Sequence, residues 1–194
     1  ALSERLAAVE PKARGAILVA ALAAGEPIDL PRADLRNIDL RPGRPSRGLS
    51  PADPDLQPTV VVLDGADLEG AMLSGACLAG VSLRGARLAG ALLVGADLTG
   101  ADLTGACLRS ANLTGTRLTR ADLSFADLRG ASLLTAQLTE VTAVAADLRD
   151  SLLQSATLTR AVVRAADLRW ARLTGASLAG ADVRDARFEG AVLA

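Results

Sequence analysis

The chain has 194 residues, half of them apolar but only 2% aromatic, and a formal net charge of −1. That length fits one domain with a small appendage, and the near-zero charge gives no global attraction to nucleic acid or acidic membranes. The absence of histidine removes the commonest general base and metal ligand, and two cysteines, Cys77 and Cys107, are too few for a disulfide framework or a closed zinc site.

Residues 1–26 read as helical, with Ser3 as the N-cap, a break or kink near Pro11 and Gly25 as a stop. The first reading of this segment is a cap over whatever follows. The rival reading is a signal peptide, from Lys12, Arg14, the apolar run at 16–24 and an Ala-x-Ala at 21–23; Glu4 and Glu10 stand against it. That run is too short to span a bilayer, so no membrane span is expected and the chain is placed in the cytoplasm.

Residues 27–42 place Ile28, Ala33 and Ile38 two positions ahead of Leu30, Leu35 and Leu40, a step of five. Residues 43–58 break the step with Pro45, Pro51, Pro54 and Pro58 and read as a loop or insertion. From 59 to 194 the step of five returns and holds without insertion or deletion. Its central position, from Leu63 to Leu193, is Leu in 23 of 27 cases, the exceptions being Ala143, Val163, Val183 and Phe188. Two residues earlier, 22 of 27 are Ala.

A helix needs apolar residues three and four apart, and a strand needs strict alternation. This pattern alternates only locally, and a glycine usually resets it, nine times in succession from Gly65 to Gly105. Glycine at the third position of a tight turn permits the positive φ of a type II turn. Each unit therefore reads as a very short extended piece plus a turn, with Ala and Leu pointing inward. The catalytic inventory stays thin: a single lysine, Lys12, no glycine-rich loop ending in Lys-Ser or Lys-Thr, and no converging acid–base pair. No cofactor, no metal and no enzymatic activity are expected.

The "ADLTGADLTGACL" pattern resembles the pentapeptide-repeat family, whose consensus is A(D/N)LXX, and the likeness holds in register from Val61 to the end of the chain. The resemblance implies an all-β solenoid, a right-handed quadrilateral parallel β-helix with four pentapeptides per coil, here with a short N-terminal α-helical cap. Residues 27–42 then become a first partial coil, 43–58 an insertion, and 59–194 a rod that is roughly 32 Å long at ~4.8 Å per coil.

With twenty residues per coil, outward positions sort onto four faces. One stacks Arg109, Arg129, Arg149 and Arg169 beside Asp127, Asp147 and Asp167. It reads either as a binding strip for an acidic partner or as a self-compensating charge lattice, the second standing ahead because the rod holds 13 Arg against 14 Asp plus Glu. A second face, taken as the opposite one, is nearly uncharged. Met72, Leu92, Val94, Leu134 and Leu152 make it the candidate interaction face, with Arg172 as its only charged residue; the alternative is that residues 1–58 fold over it. A third face repeats Thr99, Thr119, Thr139 and Thr159, read as β-propensity on an exposed strand. Trp170, at a corner where Gly is usual, is a candidate hot spot.

The expected role is a non-catalytic scaffold with a protein partner and no direct nucleic-acid binding. The family resemblance implies an alternative: some members mimic duplex DNA, bind type II topoisomerases and protect them from quinolones. Mimicry asks for a continuous acidic surface, since duplex DNA carries one charge per ~1.7 Å. Gyrase-directed members commonly pair through their C-terminal ends, which makes Phe188 the candidate dimer end and a homodimer through the C-terminal coil an expectation.

Overall fold

The computed structural model describes residues 2–9, 14, 17, 18, 21, 30, 32–36, 38, 40 and 61–193. From 61 onward the chain is a solenoid of five-residue sides. Single residues, each the one before the central Leu, bridge in parallel to the residue twenty further on, from Val62↔Ser82 to Arg172↔Val192. Four sides therefore complete one coil. Each side contributes one bridging residue and no longer strand, because the turn that follows ends the extended piece.

Backbone bonding explains why the unit is five residues long. The central Leu donates to the carbonyl nineteen residues on (Leu98 N to Arg117 O, 2.7 Å), and the corner residue does likewise (Gly100 N to Thr119 O, 2.9 Å). The bridging residue donates back to the previous coil (Asp97 N to Ala76 O, 2.8 Å), and the Ala closes the turn (Ala101 N to Leu98 O, 3.0 Å). That leaves one N–H per side, on the residue after Leu, without a carbonyl partner. Wherever the bridging residue is Asp or Asn among the described sides, its carboxylate or amide oxygen takes this N–H. Examples are Thr99 N to Asp97 Oδ1 at 3.1 Å, Thr114 N to Asn112 Oδ1 at 3.1 Å and Ser124 N to Asp122 Oδ1 at 2.8 Å. The Asp/Asn of the repeat is thus a local cap that satisfies an otherwise idle backbone donor.

The core is the stacked Leu and Ala. Leu63 through Leu173 and the Ala positions beside them are buried in one cluster. Some departures are compensated locally. Val141 stands in the Ala position of the same side whose Leu position holds Ala143, and both are buried, so volume is conserved. Thr116 and Ser151, fully buried in Ala positions, donate their hydroxyls to Leu93 O (2.9 Å) and Leu148 O (2.7 Å). Every described corner from 65 to 190 has positive φ, including twelve that are not glycine, such as Phe125 (61°), Ala145 (53°) and Trp170 (59°).

At the N-terminal end, Leu30, Leu35 and Leu40 donate to Asp67, Met72 and Cys77 carbonyls at 2.8 Å, and Asp34 bridges Met72. The step from Asp34 to Met72 is nearly twice that of a regular coil, so the chain between Leu40 and Leu63 contains an insertion. Helix α1, Leu2–Ala7, begins one residue ahead of Ser3, which lies inside the helix rather than capping it. The reason is packing: Leu2 and Leu6, one helical turn apart, are buried in the same cluster as Leu18, Ala21, Leu30 and Leu35. Arg14 joins helix and coil, donating to Leu6 O (3.1 Å) and to Asp34 O, and pairing with Asp34 Oδ2 at 3.3 Å. The kink at Pro11, the stop at Gly25 and the proline-rich stretch 43–58 lie outside the described residues.

Corner geometry and the Asp cap each set a stability expectation. Gly95 has φ 64° and open space where a Cβ would stand; Gly95→Ala is expected to lose about 1–2 kcal/mol from left-handed strain alone. Ala145→Gly should gain up to about 1 kcal/mol, the strain relieved being partly offset by glycine's greater chain entropy. Removing the local cap in Asp97→Ala should lose about 1 kcal/mol, whereas Asp97→Asn keeps the acceptor and stays near wild type. Urea unfolding midpoints read all four variants.

Candidate interaction surfaces

Because successive units occupy successive sides, the rod has a first side (61–65 and every twenty onward), a ladder side (66–70 onward), an uncharged side (71–75 onward) and a threonine side (76–80 onward). The uncharged side is therefore the neighbour of the ladder side and not its opposite: residues 131–135 follow 126–130 directly around the corner. The side opposite the ladder is the one carrying Thr99, Thr119, Thr139 and Thr159. Cys77 and Cys107 do lie on opposite sides, and both are free.

On the ladder side Asp127, Asp147 and Asp167 each grip the Arg two residues on in a two-bond fork, whereas Asp67 and Glu69 both pair with Arg87 of the next coil, at 2.9 and 2.7 Å. Asp127 receives Arg129 Nε (2.8 Å) and Nη2 (2.6 Å); Asp147 receives Arg149 at 2.9 and 2.6 Å; Asp167 receives Arg169 at 2.8 and 2.6 Å. Weaker rungs tie coil to coil: Arg109 to Asp127 at 3.8 Å, Arg129 to Asp147 at 3.4 Å and Arg149 to Asp167 at 3.7 Å. The same Asp-x-Arg fork recurs at Asp34–Arg36 and Asp182–Arg184. The Arg129, Arg149 and Arg169 guanidiniums hold the Asp127, Asp147 and Asp167 carboxyls below the usual carboxylate range. From Asp127 to Arg169 the strip is a zipper of paired charges, with no hydrogen bond on Nη1 of Arg129, Arg149 or Arg169, and the Arg109 guanidinium, whose side has Cys107 in place of Asp, makes only the 3.8 Å contact to Asp127.

The uncharged side has no ionisable residue from 71 to 155. Leu92 and Val94 are 42% and 40% exposed, while Met72, Leu134 and Leu152 are half-buried or less exposed. No described residue of the N-terminal segment covers Leu92 or Val94. At the ends the side is charged: Arg172 near one, and at the other Asp34, which bridges Met72 and pairs with Arg36 at 2.8 Å. Counting in twenties places Arg172 there but not Asp34, because the insertion before the rod hides the alignment.

Two corners carry aromatics. Trp170 is 54% exposed, lies against Gly190 of the next coil so closely that a Cβ there would meet its ring at 2.5 Å, and takes the Arg169 guanidinium 5.3 Å from its centroid. Phe125, 66% exposed, is the residue that sequence reasoning passes over. Its signal is the one used for Trp170, an aromatic in the glycine position of a side. These corners border the ladder side, Phe125 at the Asp edge and Trp170 at the Arg edge. Phe188, at a central position in the last coil, is half-buried, and the coil around it exposes Val183 and Leu193.

Among the described residues no group of three or more His, Cys, Asp or Glu could hold a metal ion, and no helix is long and apolar enough to cross a membrane. A shallow notch lined by Arg32, Glu69, Gly70, Ala89 and Gly90 brings together one cation and one carboxylate on small residues.

A solenoid of square coils with Ala and Leu inside defines a class. The family model described as pentapeptide repeats matches in eight copies, over residues 61–88, 82–120, 116–154 and 151–193. The chain belongs to the pentapeptide repeat family, whose members form right-handed quadrilateral β-helices and are generally structural or interaction proteins rather than enzymes. Similar solved structures include HetL, a pentapeptide repeat protein involved in heterocyst differentiation regulation from the cyanobacterium Nostoc sp. strain PCC 7120. It is 28% identical, with 91% of this chain and 95% of that one covered and a TM-score of 0.36. QnrB1, a plasmid-mediated fluoroquinolone resistance protein, is 17% identical over 86% of this chain and 84% of its own, with a TM-score of 0.48. A pentapeptide repeat protein of the Arabidopsis thaliana thylakoid lumen is 31% identical over 45% and 61%, with a TM-score of 0.30. No curated protein matches.

The forks set an acid limit. Asp127, Asp147 and Asp167 have folded pKa values below their unfolded ones, so their contribution to stability is fully present above the unfolded value and is lost as pH falls through the folded values. Urea midpoints should be flat from neutral pH down to about pH 4, the unfolded Asp value, and drop below it. Asp147→Asn should flatten that drop.

Proposed function

We propose that the chain is a non-catalytic scaffold, a rigid right-handed quadrilateral rod that presents its uncharged side to a protein partner. One observation carries this reading. On the ladder side Asp and Arg answer each other, yet the neighbouring side runs from 71 to 155 without a charge and leaves Leu92 and Val94 in solvent. Five successive coils without a charge, exposing Leu92 and Val94 among neutral polar residues such as Asn112 and Thr114, beside a side of paired charges, support a contact there. A solenoid suits the task, since each coil contacts only its neighbours and its long sides stay free.

The DNA-mimicking, topoisomerase-binding reading gains no support from this surface, because the carboxylates of the ladder are each neutralised by an arginine instead of forming an acidic strip. We propose, second, a homodimer through the C-terminal coil with Phe188 in the contact, a reading that rests on the family resemblance alone.

Affinity capture from a cell lysate tests the scaffold reading, with wild type run beside Leu92→Arg/Leu134→Arg. Both positions point outward, so the circular dichroism spectrum should not change. The expected result is a partner held by wild type and lost by the variant; identical captures would overturn the assignment of this side.

A further inference from the structure

The ladder side and its two aromatic corners form a self-complementary surface, and we propose that it is where two copies of this chain associate side by side, rods parallel, about a two-fold axis along the rod. This contact is separate from the uncharged side and from the C-terminal coil.

Three features of the surface select a second copy as the occupant. The first is pitch. The Asp and Arg columns repeat at the coil spacing of ~4.8 Å. A partner α-helix repeats every ~5.4 Å, and a strand laid along the rod presents same-face residues every ~6.6 Å, so neither stays in step over several rungs. Another stack of the same coils keeps the same pitch along its whole length.

The second is charge. Looking onto the side, Asp127, Asp147 and Asp167 form one column, and Arg129, Arg149 and Arg169 the other. A two-fold axis parallel to the rod exchanges left and right at a constant level, so over the rungs from 127 to 169 each Arg column meets the Asp column of the second copy, while at the 66–70 end Asp67 faces Glu69 of the second copy, both carboxylates being already held by Arg87. The unspent Nη1 donors then face carboxylates. An axis perpendicular to the rod would set Asp against Asp, which selects the parallel arrangement.

The third is shape. The same exchange sets the Phe125 corner against the opposite corner column of the second copy. Phe125 then lies about a quarter of a coil, ~1.2 Å in height, from Gly130 of the second copy. Trp170 lies at the same small offset from Ala165 of the second copy. Both receiving residues are small and exposed. Each aromatic knob meets a notch, and no two large corners collide. Trp170 is already rigid, held between Gly190 and the Arg169 guanidinium, so little order is lost when it docks.

Phe125 and Trp170 occupy positions of positive φ, 61° and 59°, where glycine is the least strained residue. Phe125→Gly/Trp170→Gly therefore removes both knobs and leaves the coil intact, checked by circular dichroism. Sedimentation of the full-length chain over the micromolar range, in low and in high salt, reads the outcome, with Leu193→Arg as a separate variant of the C-terminal coil. The expected result is a dimer whose dissociation constant rises about tenfold or more in the double glycine variant and rises in high salt, as exposed ion pairs are screened, while Leu193→Arg leaves it unchanged. A dimer lost in Leu193→Arg and untouched by the glycine pair overturns the proposal and places the contact at the coil end. A monomer throughout the range in low salt overturns it as well. Neither result bears on the uncharged side, whose test is the capture of a different partner.

Discussion

Everything in this molecule depends on the turn at each corner. The chain can change direction every fifth residue only because the third residue of the turn takes positive φ and the following Ala closes a bond to the preceding Leu carbonyl, as in Ala101 N to Leu98 O at 3.0 Å. Once the corner is fixed, Leu and the corner residue aim their N–H groups along the rod axis, and the next coil must fall twenty residues on. The repeat length, the bridge register and the inward position of Leu and Ala are consequences of that one local geometry.

The same constraint decides which side chains are chemical and which are structural. An Asp such as Asp127 looks in sequence like half of an ion pair. In the coil its first duty is to the backbone, since its Oδ1 accepts the Arg129 N–H at 3.2 Å, and the fork to the guanidinium is built on a carboxylate already held in place. Asp122 and Asn112 perform the backbone duty without a partner Arg on their own side. The charge of the ladder is therefore partly a by-product of a position that wants an oxygen acceptor, and the informative residues are the arginines, which the backbone does not require.

The solenoid is legible in the sequence because nothing interrupts the period from Val61 onward, and each Leu-to-Ala spacing carries the same meaning. The contents of each side are legible too, by counting in twenties. Three things are not. Counting gives membership of a side, but adjacency requires following the chain around a corner, from Arg129 to Ser132, which is why the uncharged side turns out to be the ladder's neighbour. Asp34 escapes because its stacking partner is Met72, beyond the insertion, and no local pattern reveals an insertion's net length. The capping role of Asp becomes visible only when the carbonyl partners of the other four N–H groups on a side are known.

The corners also divide the rod into two regions of different composition. Every corner from 65 to 105 is glycine, whereas from 110 to 170 all but two are not, Gly115 and Gly130 being the exceptions. Side chains at positive φ are disfavoured by roughly 1–2 kcal/mol each, so the second region carries a strain that the first avoids with the same backbone. Strain of this kind persists where something else is gained from the residue. At Arg120 and Glu140 the return is an ion pair at 2.7 Å; at Trp170 it is a ring seated on Gly190. At Phe125 no described contact repays it, and the side chain is 66% exposed. The proposed side-by-side contact would seat that ring against Gly130 of a second copy, a return of the kind that Trp170 finds within its own chain on Gly190.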